Sequence, residues 1–287
     1  MSQDPYNWKR FWCPRGSIFY LSDDGYMTDP ESEWGKYTQP NIVSFNEIES
    51  TPCLILLGEP GLGKTTVMEQ SYAEISKSVN ENSVDTQWIN LGAYQTDVAI
   101  RDAIFGTSKF KKWLSGQYQL HLFIDSMDEC LLRVNSIARY LIEELKNYPI
   151  QRLTLRVACR TAEWPNGLET GCNSLWGEEN VRIYELVPLR RVDVQNAAIT
   201  VGIEYEPFLE EIKAKQVESL AIKPITLRFL LNKYKRDHQL PYRQAELYTE
   251  GCRLLCEEAS QSRREAGLLG DLTSDQRLMT AARMCWG

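Results

Sequence analysis

The residues best equipped for chemistry lie in one stretch, Gly58-Glu59-Pro60-Gly61-Leu62-Gly63-Lys64-Thr65-Thr66. Glycines, a lysine and two hydroxyls at this spacing satisfy the phosphate-loop pattern G-x-x-x-x-G-K-(S/T) in full. Gly58, Gly61 and Gly63 allow a tight turn that brings successive N–H groups against a phosphate chain. Lys64 offers a point charge to the β- and γ-phosphates, and the Thr65 hydroxyl offers a ligand to Mg²⁺. A helix beginning near Gly63 adds the positive end of its dipole to the same anion. The run ahead of the loop, residues 53–57, is apolar and sits between breakers, as a buried parallel strand does. A glycine-rich turn without a ligand would have no use for the Lys-Thr-Thr ending. The pattern therefore predicts a nucleoside-triphosphate site.

A second chemical signal lies further along. The apolar run 120–124 delivers Asp125-Ser126-Met127-Asp128-Glu129. An acidic residue at the carboxyl end of a strand is the Mg²⁺-side partner that a phosphate loop needs. Asp125 is expected to hold the metal through a water, and Asp128 or Glu129 to orient and deprotonate the attacking water. Three carboxylates this close repel one another unless a divalent cation sits among them. Another apolar run, 153–159, ends in Arg160-Thr161, where Arg160 could sense the γ-phosphate or serve as a surface ion-pair partner. Pro224 sits where it would begin a helix, and a proline there can also press flat on an adenine. Ile42 and Val43, just ahead of the first core strand, are further candidates to wall that base.

These groups need elements to hold them. Apolar runs predict strands at 53–57, 87–91, 120–124, 153–159 and 181–186. Helical spacing is read at 65–78, at 110–114, in a segment capped by Thr96 or Asp97, and in one marked by Ile137, Tyr140, Leu141 and Leu145. The segment 163–167 reads as loop. Five strands separated by helices or long crossovers imply a mostly parallel, right-handed α/β/α sheet with ligands at the strand carboxyl ends. After Pro188-Leu189 the pattern turns helical, at 192–200, 206–215, 224–234, 244–259 and 273–286. Ahead of the core, residues 1–48 form an aromatic-rich extension with a small hairpin closing on Asp24-Gly25, its aromatics expected to pack on the nucleotide domain. The division expected is extension (1–48), phosphate-loop core (49–188), helical subdomain (189–270) and the start of a further module (271–287).

Composition narrows the function. The 287 residues are 43% apolar and 25% charged, ordinary for a soluble globular protein. A formal charge of −7 argues against a general nucleic-acid surface. The eight cysteines contain no C-x-x-C, and only His121 and His238 could help them ligate a metal. Cys252 and Cys256, one helical turn apart, read as buried small apolar residues. Reduced thiols, no signal core and no apolar run of membrane length point to the cytoplasm. Asn232-Lys233-Tyr234-Lys235 lacks the aspartate of a guanine-binding N-K-x-D motif, which disfavours a GTPase. No lid of clustered arginines follows the loop, which disfavours a small-molecule kinase.

Together these residues resemble the signal-transducing ATPases with numerous domains (STAND class), and within them the NACHT family. Asp125-Ser126-Met127-Asp128-Glu129 matches the NACHT pattern D-(G/A/S)-h-D-E. The strand ending Val157 to Thr161 is similar to the family's sensor strand, and 184–189 resembles its entry into a helical domain. Ile222-Lys223-Pro224 resembles the G-x-P motif, with Ile222 in place of the glycine. The resemblance covers about residues 50–260 and implies a three-layer α/β/α core of strand order 5-1-4-3-2, then a helical domain, then a winged helix that 273–287 would begin. It implies an ATP/ADP switch with Mg²⁺ and slow hydrolysis. In such a switch ADP holds a monomer and ATP drives self-oligomerisation, coupling unknown sensor and effector domains, in bacteria often for antiviral defence. On that reading the chain is part of a longer polypeptide. An AAA+-type remodelling ATPase is the first alternative. A module that holds ADP without turnover is the second.

Overall fold

The structure is a computed structural model that describes residues 6, 8–77, 84–129, 134–256 and 272–285. Its centre is a seven-stranded sheet of order β2-β1-β7-β3-β6-β5-β4. The strands are β1 (Phe11–Pro14), β2 (Val43–Ser44), β3 (Cys53–Leu57), β4 (Val84–Asn90), β5 (Gln119–Asp125), β6 (Leu153–Cys159) and β7 (Val181–Leu186). The last five are parallel throughout. Numbered among themselves they run 5-1-4-3-2, the order expected.

The two strands not expected come from the N-terminal segment. β1 pairs antiparallel with β7 through Trp12 and Leu186, and β2 closes the edge beside it. Runs of four and two residues are too short to show alternation, so nothing in the sequence marks them as strands. The expected hairpin shrinks to its turn. Asp23 and Tyr26 exchange backbone hydrogen bonds of 3.2 and 2.9 Å across Asp24 and Gly25, whose φ angles are +49° and +86°. Beyond the turn the arms are joined by the Ser22 and Thr28 hydroxyls at 2.7 Å and form no strand ladder.

Because the parallel strands are covered on both faces, they read as continuous apolar runs. One face takes the helix α3 (Lys64–Lys77), which sets Val67 and Met68 against Leu54, Leu56, Phe123 and Ala158. Ahead of it lie two short helices, α1 (Glu33–Thr38) and α2 (Phe45–Ile48). The opposite face takes α4 (Asp97–Phe105), α5 (Ser108–Ser115), α6 (Val134–Leu145) and α7 (Asn166–Trp176). Ile100, Phe110, Trp113, Leu141 and Leu168 pack there on Ile55, Leu57, Leu122, Ile124 and Val157. Each buried side chain of this size contributes about 1.5–3 kcal/mol.

Thr96 caps α4 by accepting the Ala99 N–H, as expected. The loop expected at 163–167 instead runs into α7, whose buried residues Leu168, Cys172 and Trp176 recur every fourth position. Polar residues and glycines between them leave the segment without an apolar run.

β3 enters the sheet over a fully buried arginine. Arg156 on β6, only 1% exposed, donates to the Thr51 and Glu49 carbonyls. Burial pushes its guanidinium down to about 10. Its N–H groups satisfy carbonyl oxygens that the strand start leaves without ladder partners.

After β7 the chain is helical: α8 (Arg191–Thr200), α9 (Tyr205–Lys215), α10 (Glu218–Ala221), α11 (Pro224–Asp237), α12 (Gln244–Cys256) and α13 (Ser274–Cys285). The part of the predicted 244–259 helix beyond Cys256 lies outside the described residues. Val194, Phe208, Ile212, Leu227, Leu230 and Leu247 make its own core. Tyr6 and Tyr26 from the N-terminal segment join this core rather than the sheet. Phe11 and Trp12 are buried at β1, whereas Tyr20, Trp34 and Tyr37 are 55%, 66% and 80% exposed. The N-terminal aromatics therefore divide three ways: into the sheet, into the helical core and out to solvent.

The same segment clasps the junction between the two cores. Arg190, at the start of α8, pairs with Asp193 at 2.7 Å and Asp29 at 2.9 Å and lies 4.6 Å over the Phe11 ring. Arg10 donates to the Val187 carbonyl at 2.7 Å, with its guanidinium pushed down to about 10 by burial.

Candidate functional site

The parallel strands all end on one edge of the sheet, and the phosphate loop, Asp125 and Arg160 stand along it. Gly58 follows β3, Arg160 follows β6, Asp125 closes β5 and Asn90 closes β4 in register with Asp125. A parallel sheet collects its ligand-facing groups at this edge because every βα connection turns there.

Residues 58–63 form the turn between β3 and α3. Gly63 holds φ +97°, in the left-handed region that disfavours a side chain. At Gly58 a Cβ would press on Leu186 Cβ at 3.3 Å. Leu62 is buried beneath the turn with the α3 face, leaving Glu59 and Pro60 exposed. α3 then begins at Lys64, so its unpaired N–H groups and its positive dipole end face the turn. The Lys64 ammonium donates to the Gly58 carbonyl at 2.5 Å and the Glu59 carbonyl at 3.1 Å. Burial lowers its pKa, opposed by the charges of Asp128 and Asp125.

Thr65 and Asp125 meet. The Thr65 hydroxyl lies 3.2 and 3.1 Å from the two Asp125 carboxylate oxygens. Asp125 is 2% exposed, and burial raises its pKa against the hydrogen bonds of Thr65 and Ser126. An acid that burial pushes towards neutrality gains from a nearby cation.

The residues fit Mg²⁺: a hydroxyl and a carboxylate are hard oxygen donors, within reach of one ion. Among the described residues no group of three or more His, Cys, Asp or Glu side chains could hold a metal. Phosphate oxygens and water would then complete its shell, the usual arrangement for this ion.

The other two acids are arranged differently. Asp128, on the turn Met127–Glu129, takes the Arg160 N–H on Oδ1 at 2.9 Å and the Arg160 Nε on Oδ2 at 2.7 Å. Its side chain is 5% exposed. Glu129 faces the same guanidinium at 3.5 Å and is 17% exposed. Repulsion in the acidic cluster is thus offset by Arg160, where the sequence suggested a cation among all three carboxylates. Arg160, itself 42% exposed, is committed to two carboxylates rather than standing alone at the strand end.

Two residues at this edge carry no signal in the sequence. Asn90 caps the turn Leu91–Ala93 by accepting the Gly92 N–H at 3.0 Å. Gly92 makes room for Glu129, whose Cβ would lie 3.2 Å from any Cβ added there. Neither belongs to a motif; only the pairing of β4 with β5 brings them in.

Pro224 lies at the start of α11 and is buried. Its neighbour Lys223 reaches the phosphate loop, 2.5 Å from Glu59 Oε2. Ile42 is buried with Phe11, Met27 and Val187 at the N-terminal strands.

The strand order and the loop together decide the fold. The core is a P-loop NTPase fold. No family model matches the chain, and no curated protein matches it. Among solved structures the chain is similar to Cdc6p from Pyrobaculum aerophilum, at 16% identity over 71% of this chain and 60% of that one, TM-score 0.43. It is similar to PCH-2 from C. elegans at 12% identity, covering 76% and 64%, TM-score 0.42. A third likeness is to RuvB from Thermotoga maritima at 15% identity, covering 75% and 65%, TM-score 0.42. The chain thus spans 60–65% of the length of these proteins. No helix among the described residues is long and apolar enough to cross a membrane.

Proposed function

We propose that this P-loop NTPase core binds ATP with Mg²⁺ and hydrolyses it slowly, as a signalling switch of the NACHT type. The observation that carries the reading is the contact of Thr65 with Asp125: the loop and the acidic strand end flank one small volume. The amides of residues 58–63 and Lys64 would hold the phosphates, and Thr65 with Asp125 would hold the cation. Bound there, Mg²⁺ would neutralise phosphate charge.

The two remaining acids divide the work by their surroundings. Both Asp128 oxygens are engaged by Arg160, so Asp128 serves as a clamp between the β5 and β6 ends. Glu129 faces the same guanidinium at the longer distance of 3.5 Å, and its side chain is the more exposed of the two, which suits it to accept a proton from water. Arg160 positions both carboxylates, and a γ-phosphate arriving beside it would compete for the same guanidinium.

The test is steady-state ATP hydrolysis alongside binding of a fluorescent ATP analogue. Lys64→Ala should lose binding and turnover together. Glu129→Gln should keep binding within a few-fold while turnover falls about 10²- to 10⁴-fold. Unchanged turnover in both variants would sink the assignment. Retained ADP with no phosphate release by the wild-type chain would instead favour a binding module without catalysis.

A further inference from the structure

A side chain of the helical region touches the phosphate loop. Lys223 is the residue before α11, and its ammonium lies 2.5 Å from Glu59 Oε2. The carbonyl of that same Glu59 accepts the Lys64 ammonium at 3.1 Å. Two lysines, one from α3 and one from the helical region, therefore converge on a single loop residue. Neither the loop motif nor helical periodicity points to Lys223.

Its backbone is held from several sides. The Lys223 carbonyl accepts the Leu227 N–H at 2.8 Å, and Pro224 fixes the first turn of the helix. One residue earlier, the Ile222 carbonyl accepts the Leu189 N–H at 2.9 Å, tying this turn to the chain leaving β7. The side chain is the part with freedom to move. It is 26% exposed and Glu59 64%, so water already weakens the pair. A polyphosphate seated on the loop amides would bring several negative charges beside Glu59, against the single charge of its carboxylate. An ammonium between the two favours the more highly charged partner.

We propose that Lys223 reads the nucleotide phosphates by exchange: it leaves Glu59 when a triphosphate occupies the loop, so that nucleotide state is transmitted to α11. This rests on the loop binding a polyphosphate, as argued above. Glu59 is then a competitor of the nucleotide for Lys223, and removing its charge strengthens binding.

The test is a titration of fluorescent ATP and ADP analogues into the full chain. Glu59→Gln should tighten the ATP analogue about two- to fivefold, the range an exposed ion pair commands. Lys223→Gln should weaken it about five- to tenfold, and less for the ADP analogue. The double variant should match Lys223→Gln, since with no ammonium there is nothing to compete for. If Glu59→Gln weakens binding as Lys223→Gln does, the pair supports the loop and exchange is overturned. If Lys64→Ala abolishes binding while both other variants bind as wild type, exchange fails and the nucleotide site stands. If Lys64→Ala binds as wild type, the nucleotide site itself fails.

Discussion

Ser126 shows how much of a site can rest on one small residue. It follows Asp125 with φ +56°, in the left-handed region, and both its amide and its hydroxyl bond the Asp125 carboxylate. The Ser126 carbonyl then accepts the Glu129 N–H at 3.0 Å, closing the turn that carries the other two acids. A β-branched residue would crowd its own backbone at this φ. Ser126→Val should therefore lower stability by about 1–2 kcal/mol in urea unfolding, whereas Ser126→Gly should cost less because glycine accepts the angle freely. Equal costs for the two would mean that the angle carries no strain. At this scale the motif residues were legible because phosphate chemistry needs those types at that spacing. The partners of Asp128 were not: Arg160 is distant in sequence, and only the packing of β5 beside β6 presents its guanidinium to the acids.

The N-terminal strand is the element whose role sequence left open. β1 lies between β2 and β7 and buries Trp12 completely, with Leu54, Leu56 and Met68 in the same cluster. It is part of the sheet that holds the phosphate loop, not a cover laid over it. Trp12→Ala should cost about 3–5 kcal/mol in urea unfolding, as large-to-small changes in a packed core do. A loss below about 1 kcal/mol, the surface range, would mean that the strand is dispensable. The five parallel strands were legible because burial on both faces makes them apolar runs between breakers. β1 and β2 were not, since a strand of two to four residues has no period to detect. α7 was missed for a related reason, with its buried residues spaced one per turn among polar ones.

For the whole molecule, the two hydrophobic cores meet at a junction clasped by Arg10, Phe11 and Asp29. Lys223 meets Glu59 at a second point. A nucleotide that alters the second contact acts on a helical region already held at the first, a geometry suited to transmitting state. If the chain is a switch, Glu129→Gln loaded with ATP should show a higher mass by light scattering than wild type loaded with ADP. Equal masses in both states would remove self-association from the proposal.

By itself the sequence determined the phosphate loop, the acidic strand end and the parallel core, because each depends on local residue type or on an apolar period that covers one element. Only the tertiary structure decided which carboxylate Arg160 holds closely and which it meets at 3.5 Å, that the N-terminal segment completes the sheet, and that Lys223 reaches the loop. Those facts are pairings between residues far apart in the chain. Periodicity within a segment carries no information about which distant charge will neutralise it.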